Sequence, residues 1–250
     1  MRLPDFLIIG TAKAGTTAAT INLRRHADID MLPRHKPDDG AMELHFFARE
    51  VEWHKGVAWY ASHFDSAKRI VGGKSINYLA EEKAHARMRA VVRNTKLIAM
   101  LREPVARAYS QWNFFNQRIR IQEMAEWSVE TFERVMGIDP SSPPLWYHQQ
   151  VLTYGHYSRQ LRHLFKFFPR EQVYVAICER VKANMAAEYA KMFDFLGTAA
   201  VNIDPSGYRE DNSYSYPKAI DPATEAKLRE YYRPHNEDLF ELIGEVPEWA

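Results

Sequence analysis

The chain has 250 residues, of which 46% are hydrophobic, and its formal net charge at pH 7 is +1. A chain of this length buries a sizeable core as one large domain or two small ones, and the near-zero charge argues against a nucleic-acid-binding surface. The single cysteine, Cys178, excludes an intrachain disulfide and fits a reducing compartment. We therefore expect a cytoplasmic protein of enzyme size.

Four short apolar runs predict the buried strands of the fold. They cover residues 6–10, 69–71, 96–101 and 173–178. Because the apolar residues in each run are continuous rather than alternating, the pattern favours a parallel sheet covered on both faces. The first run is too short for a signal sequence or a membrane span, so we expect no span.

Helical patterns fill the segments between these strands. The predicted helices cover 16–25, 81–93, a segment that begins at Pro104, a stripe from Tyr157 to Phe168, another from Met185 to Leu196, and 222–232 behind an Asp221 cap. Strands and helices alternate, which is typical of the α/β class. We predict a single domain over residues 1–250, with a P-loop-like central parallel sheet flanked by helices on both faces. The turn-rich segment 139–144 is interpreted as a loop inside that domain.

The stretch FLIIGTAKAGTT joins the first predicted strand to the first helix through a loop that lies between Gly10 and Gly15. Backbone N–H groups and the dipole at a helix start bind anions, and a glycine lets the backbone approach an oxyanion closely. A nucleotide triphosphatase P-loop has its lysine directly after the second glycine, where this chain has Thr16; the lysine of this loop is Lys13. A strand–turn–helix with an incidental lysine stays open for the loop alone. The candidate anion-binding residues are Lys13, Ala14, Gly15, Thr16 and Thr17.

A second candidate element is the stretch KLIAMLREPVARAYSQW, which begins at residue 96. Arg102 follows the strand at its carboxyl end, and Ser110 lies about two turns into the next helix. Since ligands of open α/β sheets bind beyond the carboxyl ends of strands, we expect Lys13 and Arg102 to converge on one polyanion. The alternatives are a salt bridge between Arg102 and Glu103 and a plain surface position for Ser110.

The loop GTAKAGTT and the later LREPVARAYS resemble the two cofactor-binding signatures of sulfotransferases that use 3′-phosphoadenosine 5′-phosphosulfate (PAPS). The match is closer to the heparan sulfate type, which has a lysine two places before the loop glycine, an E-x-H-F-F element and a Lys-Ser or Lys-Thr element. Here these elements are ELHFF from Glu43 to Phe47 and Lys74-Ser75. The run YGHY-x₃-L-x₆-FP and the C-terminal stretch DPATEAKLREYYRPHNEDLFELIG are similar too, so the resemblance covers nearly the whole chain in order.

The resemblance implies transfer of a sulfuryl group from PAPS to a hydroxyl or amine, with a saccharide as the expected acceptor. Lys13 would neutralise the leaving phosphate, and since a sulfuryl group carries less charge than a terminal phosphoryl group, we expect no metal. Glu43 would take the acceptor proton with support from His45, and Lys74 would face the same cleft. Which of Glu43 and His45 is the base stays open. Without the resemblance, the stretch 42–47 is interpreted as a half-buried strand or turn with a solvated Glu43.

One departure from the heparan sulfate type concerns the phosphate contact before the last helix. That type carries Lys-Gly-Arg there, whereas this chain has Asn212-Ser213-Tyr214. Ser213 and Tyr214 stay candidate cofactor-binding residues, and Arg209 is the candidate substitute for the basic contact.

Two other functions remain to be compared with sulfuryl transfer: a P-loop small-molecule kinase and a non-catalytic nucleotide-binding module. The kinase would need a lysine after the second loop glycine and an acidic metal ligand. Loops 32–42 and 116–147 are expected to select the acceptor. Their sequences predict neither its identity nor the oligomeric state.

Overall fold

The structure, a computed structural model, describes residues 2–33, 43–120, 131–136, 146–199, 201 and 219–249. The chain divides into two compact units, each formed by two segments. The first unit comprises Met1–Leu101 and Gln160–Asn212, and the second comprises Arg102–Arg159 and Ser213–Ala250. The prediction of a single domain over residues 1–250 stays a prediction.

The first unit contains a parallel sheet, which has five strands among the described residues. They are β1 (Phe6–Gly10), β2 (Ile29–Met31), β3 (Ile70–Lys74), β4 (Lys96–Leu101) and β5 (Val173–Ile177), in the order β2-β3-β1-β4-β5. The central strand β1 pairs in parallel with β3 on one side and with β4 on the other, so that Leu7 lies opposite both Gly73 and Leu97. The chain order therefore reverses at β1, and the loop after β1 lies where α/β sheets bind their ligands.

The described helices surround this sheet in the first unit and form the second unit. They are α1 (Thr16–Leu23), α2 (Glu50–Trp53), α3 (Gly56–Ala61), α4 (Glu82–Val91), α5 (Pro104–Arg120), α6 (Phe132–Val135), α7 (Trp146–Thr153), α8 (Tyr157–Leu164), α9 (Cys178–Ala183), α10 (Met185–Leu196) and α11 (Pro222–Ile243). A short 3₁₀ helix covers Arg170–Gln172 before β5. None of the helices in the described part of the chain is long and apolar enough to cross a membrane.

Both faces of the sheet are buried, as the continuous apolar strands predicted. On one face, Phe6 belongs to a core cluster with Leu23 of α1 and Phe193 of α10. On the other face, Leu7 and Leu97 are 1% and 0% exposed. Because a strand alternates its side chains between faces, burial of both sets requires cover on both sides.

The strand predicted at 69–71 is longer in the structure, because its two glycines belong to β3. A Cβ atom on Gly72 would lie 2.2 Å from the Phe6 ring and 2.5 Å from the Met31 sulfur. A Cβ atom on Gly73 would lie 2.9 Å from both Leu7 and Phe64. Large neighbouring side chains fill the space above these glycines, so they are part of the packing rather than a strand end.

The second unit has a core of its own, made by α5, α6, α7 and α11. Val105 and Ala108 of α5 pack there with Val151 of α7 and Leu228 of α11. Arg107 is fully buried beside them and donates to the Gln111 side chain and to the Val151 carbonyl. These bonds give both terminal nitrogens of the buried guanidinium an acceptor, while its Nε atom has no hydrogen-bond partner among the described residues.

Other element predictions also differ from the structure. The helix predicted from Tyr157 to Phe168 ends at Leu164. The three-residue β2 was missed because it is too short to show a pattern. Cys178 begins α9 rather than ending β5, and α11 continues past the predicted end at Tyr232 to Ile243, with Pro234 inside it. A proline usually interrupts a helix, but Leu239 beyond it is fully buried, and that packing holds the final turns.

Candidate active site

The loop after β1 has the geometry of an anion-binding site. Lys13 and Gly15 have positive φ values of 68° and 81°, and Gly15 is the N-cap of α1 without a side-chain cap hydrogen bond. The Thr11 N–H group donates to the Met100 carbonyl at 2.7 Å, which ties the loop to the end of β4. The first turn of α1 has no acidic residue. Its N–H groups and the hydroxyls of Thr16 and Thr17 are therefore a donor set that fits a phosphate.

Lys74 connects this loop to the predicted acceptor side of the site. It is the last residue of β3, the strand next to β1, and its side chain is only 4% exposed. Its Nζ atom donates to Thr17 Oγ1 at 3.3 Å and lies 3.1 Å from Glu43 Oε1. A buried ammonium needs such partners, and here they are a helix-start hydroxyl and a carboxylate.

The Glu43 carboxylate is held by three groups of the protein. Besides the ion pair with Lys74, its Oε2 atom accepts from the Ile76 N–H group at 3.4 Å and lies 3.7 Å from His45 Nε2. The side chain is 23% exposed. The carboxylate is therefore oriented by the protein and still reachable from solvent.

His45 lies between Glu43 and Ser75. Its Nδ1 atom is 2.8 Å from Ser75 Oγ. Burial, followed by the charge of Arg49, lowers the pKa of His45 to about 4, although Glu43 acts in the opposite direction and Lys74 adds a smaller lowering effect. The imidazole is therefore neutral at neutral pH, and one of its two nitrogens carries the proton.

The segment that carries Glu43 and His45 is anchored by its apolar residues. The Leu44 N–H group donates to the Lys74 carbonyl at 3.2 Å, and Tyr78 OH donates to the Leu44 carbonyl at 2.5 Å. Phe46 is fully buried and stacks on Tyr60 with 4.6 Å between ring centroids. This packing orients Glu43 and His45 toward the end of β3. The segment is not a strand, since a turn begins at Phe46.

The second unit carries the other two predicted phosphate ligands that the structure describes. The Glu103 carboxylate caps α5 by accepting from the Val105 and Ala106 N–H groups at 3.1 and 2.6 Å. Tyr157 OH donates to the Arg102 carbonyl at 2.8 Å. Ser110 is 3% exposed, so the alternative interpretation of it as a surface residue is wrong.

The structure brings together four of the predicted site residues through direct contacts, namely Thr17, Glu43, His45 and Lys74. Lys13, Ala14, Gly15 and Thr16 belong to the same loop and helix start, and Arg102 and Ser110 belong to the second unit. Arg209, Ser213 and Tyr214 lie outside the described residues, as do most of the loops predicted to select the acceptor. The catalytic and binding roles stay predictions. Among the described residues, no group of three or more His, Cys, Asp or Glu side chains is arranged to hold a metal.

Sequence reasoning missed two of the groups that orient this site. Ser75 was noted only as part of a motif, although its position directly after Lys74 was a usable signal. The backbone N–H group of Ile76 leaves no signal in a sequence, since every residue except proline has one.

Comparisons with known proteins give the chain its family. The family model described as "Sulfotransferase domain" matches residues 3–249. The chain is 30% identical over 275 residues to "Heparan sulfate glucosamine 3-O-sulfotransferase 3B1" from Homo sapiens, covering 99% of this chain and 65% of that protein. It is also 30% identical to the 3A1 protein of the same name and organism, covering 99% and 63%. The chain thus spans just under two thirds of these relatives.

Among solved structures, the sulfotransferase from Alicyclobacillus acidocaldarius is similar with a TM-score of 0.74 and 24% identity, covering 100% of this chain and 99% of that one. This likeness shows a shared fold. The sheet, its loop after β1 and the family match lead to one conclusion: the chain belongs to the sulfotransferase family. The family and the α/β class predicted from the sequence are confirmed, and neither the kinase nor the non-catalytic module is favoured.

Proposed function

We propose that this protein transfers the sulfuryl group of PAPS to a hydroxyl group of a saccharide. The observation that carries the proposal is the contact between Glu43 and Lys74, 3.1 Å apart and joined through Thr17 to an anion-binding helix start. A base and a cation beside a phosphate site are what transfer between two oxygens needs. The saccharide is proposed because the similar human proteins are named for heparan sulfate glucosamine.

The residues of the loop fit the co-substrate. When bound, PAPS supplies a sulfuryl group attached to a phosphate that leaves. The N–H groups at the start of α1 and the hydroxyls of Thr16 and Thr17 would hold the 5′-phosphosulfate, and Lys13 would neutralise the charge that develops on the departing phosphate. Arg102 and Ser110 are the proposed ligands of the 3′-phosphate.

The acceptor side is assigned to Glu43, His45 and Lys74. Glu43 takes the proton of the acceptor hydroxyl while that oxygen forms a bond to sulfur and the bond from sulfur to the phosphate oxygen breaks. Adenosine 3′,5′-bisphosphate is released together with the sulfated acceptor. The Lys74 ammonium contacts both Glu43 and Thr17, so it lies between the base and the phosphate-binding helix start. From there it would stabilise the charge on the sulfuryl group as that group passes from the phosphate oxygen to the acceptor oxygen. His45 orients the carboxylate.

The first test is ligand binding followed by transfer. Adenosine 3′,5′-bisphosphate should raise the melting temperature, while ATP and GTP at the same concentration should raise it much less, because a ligand stabilises the state that binds it. Labelled sulfuryl should then pass from PAPS to members of a saccharide library. Stabilisation by ATP, with activity that is lost on chelation and restored by magnesium, would support the kinase instead.

Two predictions about the setting of the protein stay proposals. We propose that transfer proceeds without a metal, which is checked by activity after exhaustive chelation. The cytoplasmic location, suggested by a single cysteine, is checked by fractionation of the cells that produce the protein.

A further inference from the structure

We propose that Ser75 is a positioning residue that fixes the tautomer of His45, so that the Nε2–H group of His45 points at Glu43. The proposal rests on the function proposed above and adds a residue to its acceptor side. Ser75 Oγ lies 2.8 Å from His45 Nδ1, and the other ring nitrogen, Nε2, lies 3.7 Å from Glu43 Oε2. The imidazole thus connects a hydroxyl to a carboxylate.

The surroundings of Ser75 favour its acting as a donor to His45. The side chain is fully buried directly after β3, and its Oγ atom accepts from the Asn77 N–H group at 3.4 Å. One lone pair of the hydroxyl is thereby engaged, while its proton is available for an acceptor. The Nδ1 atom of His45 is the acceptor within hydrogen-bond distance.

The Glu43 carboxylate favours the same tautomer as Ser75, through the longer of the two contacts of the ring. A neutral imidazole has one N–H group and one bare nitrogen. If Nδ1 carried the proton, the lone pair of Nε2 would face the carboxylate, and two acceptors would oppose each other. If Nε2 carries it, the N–H group points toward Oε2, which also accepts from the Ile76 N–H group. Only the second arrangement is attractive on both sides of the ring.

This arrangement gives Ser75 a role in catalysis without contact to either substrate. With donors directed at Oε2, the carboxylate is held so that Oε1 lies on the side of Lys74, 3.1 Å from its ammonium. Without the Ser75 hydroxyl, His45 is free to adopt the other tautomer or to rotate, and Glu43 loses an oriented neighbour. The expected cost is on the order of tenfold in kcat, the size of one hydrogen bond, with KM for PAPS unchanged.

The test reads the tautomer directly in the full chain without substrate. Nitrogen-15 spectra that connect ring protons to both ring nitrogens distinguish a protonated from a bare nitrogen, and a His45→Gln variant assigns the signals. In the unmodified protein, Nε2 of His45 should carry the proton. In Ser75→Ala, which removes one oxygen atom, the signals should shift toward the other tautomer or an average, and Ser75→Thr, which keeps the hydroxyl, should restore them.

Thr95→Ala is the matched control. Thr95 is also a buried hydroxyl residue and donates to the Pro4 carbonyl at 2.7 Å, but it precedes the amino end of β4, whereas Ser75 follows the carboxyl end of β3. It should leave the His45 signals and kcat unchanged. A proton on Nδ1 in the unmodified protein, an unchanged tautomer in Ser75→Ala, or an equal shift in Thr95→Ala would each overturn the proposal. Because the spectra need no turnover, failure to detect sulfuryl transfer would count against the proposed function and not against this tautomer.

Discussion

Lys13 occupies a left-handed backbone position two residues before Gly15, in a loop whose N–H groups lead into α1. If it neutralises the leaving phosphate, Lys13→Ala should lower kcat by about 10²–10³-fold, the cost of removing one group that stabilises developing charge. The fold should be retained, because the loop is held by backbone bonds such as that from Thr11 to Met100. The measurement is transfer of labelled sulfuryl from PAPS, with circular dichroism as the check on folding.

Lys166→Ala is the control for that prediction, since Lys166 is an exposed lysine of the same unit. It should retain normal turnover. A folded Lys13→Ala variant as active as the Lys166→Ala variant would show that Lys13 is not at the leaving group.

The Glu43 carboxylate and the His45 imidazole have different predicted roles, which can be separated by substitution. Glu43→Gln keeps the shape but removes the basicity, so kcat should fall by about 10²–10⁴-fold, the usual contribution of a positioned general base. Affinity for adenosine 3′,5′-bisphosphate should hardly change. His45→Ala should cost less, because a neutral ring that only orients the carboxylate leaves the base in place. If His45→Ala were inactive and Glu43→Gln were active, His45 would be the base and Glu43 the residue that orients it.

At the scale of single residues, the sequence predicted which residues belong to the site better than it predicted their contacts. Lys74 follows Glu43 by 31 positions, and the resemblance assigned both to one cleft, where the structure brings them to 3.1 Å. The hydroxyl partners were not predicted in the same way. The bond from Lys74 to Thr17 depends on the register between β1 and β3, and the bond from His45 to Ser75 depends on how the segment that carries His45 packs at the end of β3. No local pattern specifies either arrangement.

At the scale of elements, α5 links two predicted phosphate ligands. Arg102 precedes the helix, Glu103 caps it, and Ser110 lies buried two turns further on. If Ser110 binds the 3′-phosphate, Ser110→Ala should weaken adenosine 3′,5′-bisphosphate about tenfold, the size of one hydrogen bond to a charged group, and should hardly affect adenosine 5′-phosphate. Isothermal calorimetry with the two nucleotides makes the comparison. Equal weakening of both ligands would mean that the substitution disturbs α5 and not a specific contact.

Element boundaries were predictable where capping residues mark them. Helix α10 ends at Leu196 before a left-handed Gly197, and α5 begins at Pro104, as the sequence patterns indicated. Patterns failed where packing decides instead. The glycines of β3 and the continuation of α11 past Pro234 are stabilised by neighbours that are distant in the chain.

At the scale of the whole molecule, the α/β class and the family followed from the alternation of elements and from motifs in order along the chain. The division into two units was not predicted. The second unit begins at Arg102, directly after β4, and the continuous sequence LREPVARAYS shows no break there. A boundary between cores depends on which helices pack together, and composition does not record it.

The stability of the whole molecule should depend on pH through histidines that are buried away from the site. His85 of α4 is fully buried; its Nδ1 atom is 2.8 Å from His163 Nδ1, and its Nε2 atom is 3.2 Å from the Leu79 carbonyl. Burial, followed by the charge of His163, lowers the pKa of His85 to about 4 from an ordinary value of 6.5. Between these two values the unfolded chain binds a proton at this position and the folded chain does not.

The sign of the effect follows from that difference in bound protons. Stability rises with pH wherever the unfolded state binds more protons, so acidification from pH 6.5 to 4 should lower the free energy of unfolding. His85 alone should account for about 3 kcal/mol of that loss at the acid end of the window.

Urea unfolding at several pH values should show a smaller loss in His85→Gln, which cannot take up this proton. His45 and His156 have similarly lowered pKa values and are unchanged in the variant, so the difference between the two proteins reports on His85 and the His163 ring that it contacts. Identical pH dependence in both proteins would mean that His85 is protonated in the folded state as readily as in the unfolded one.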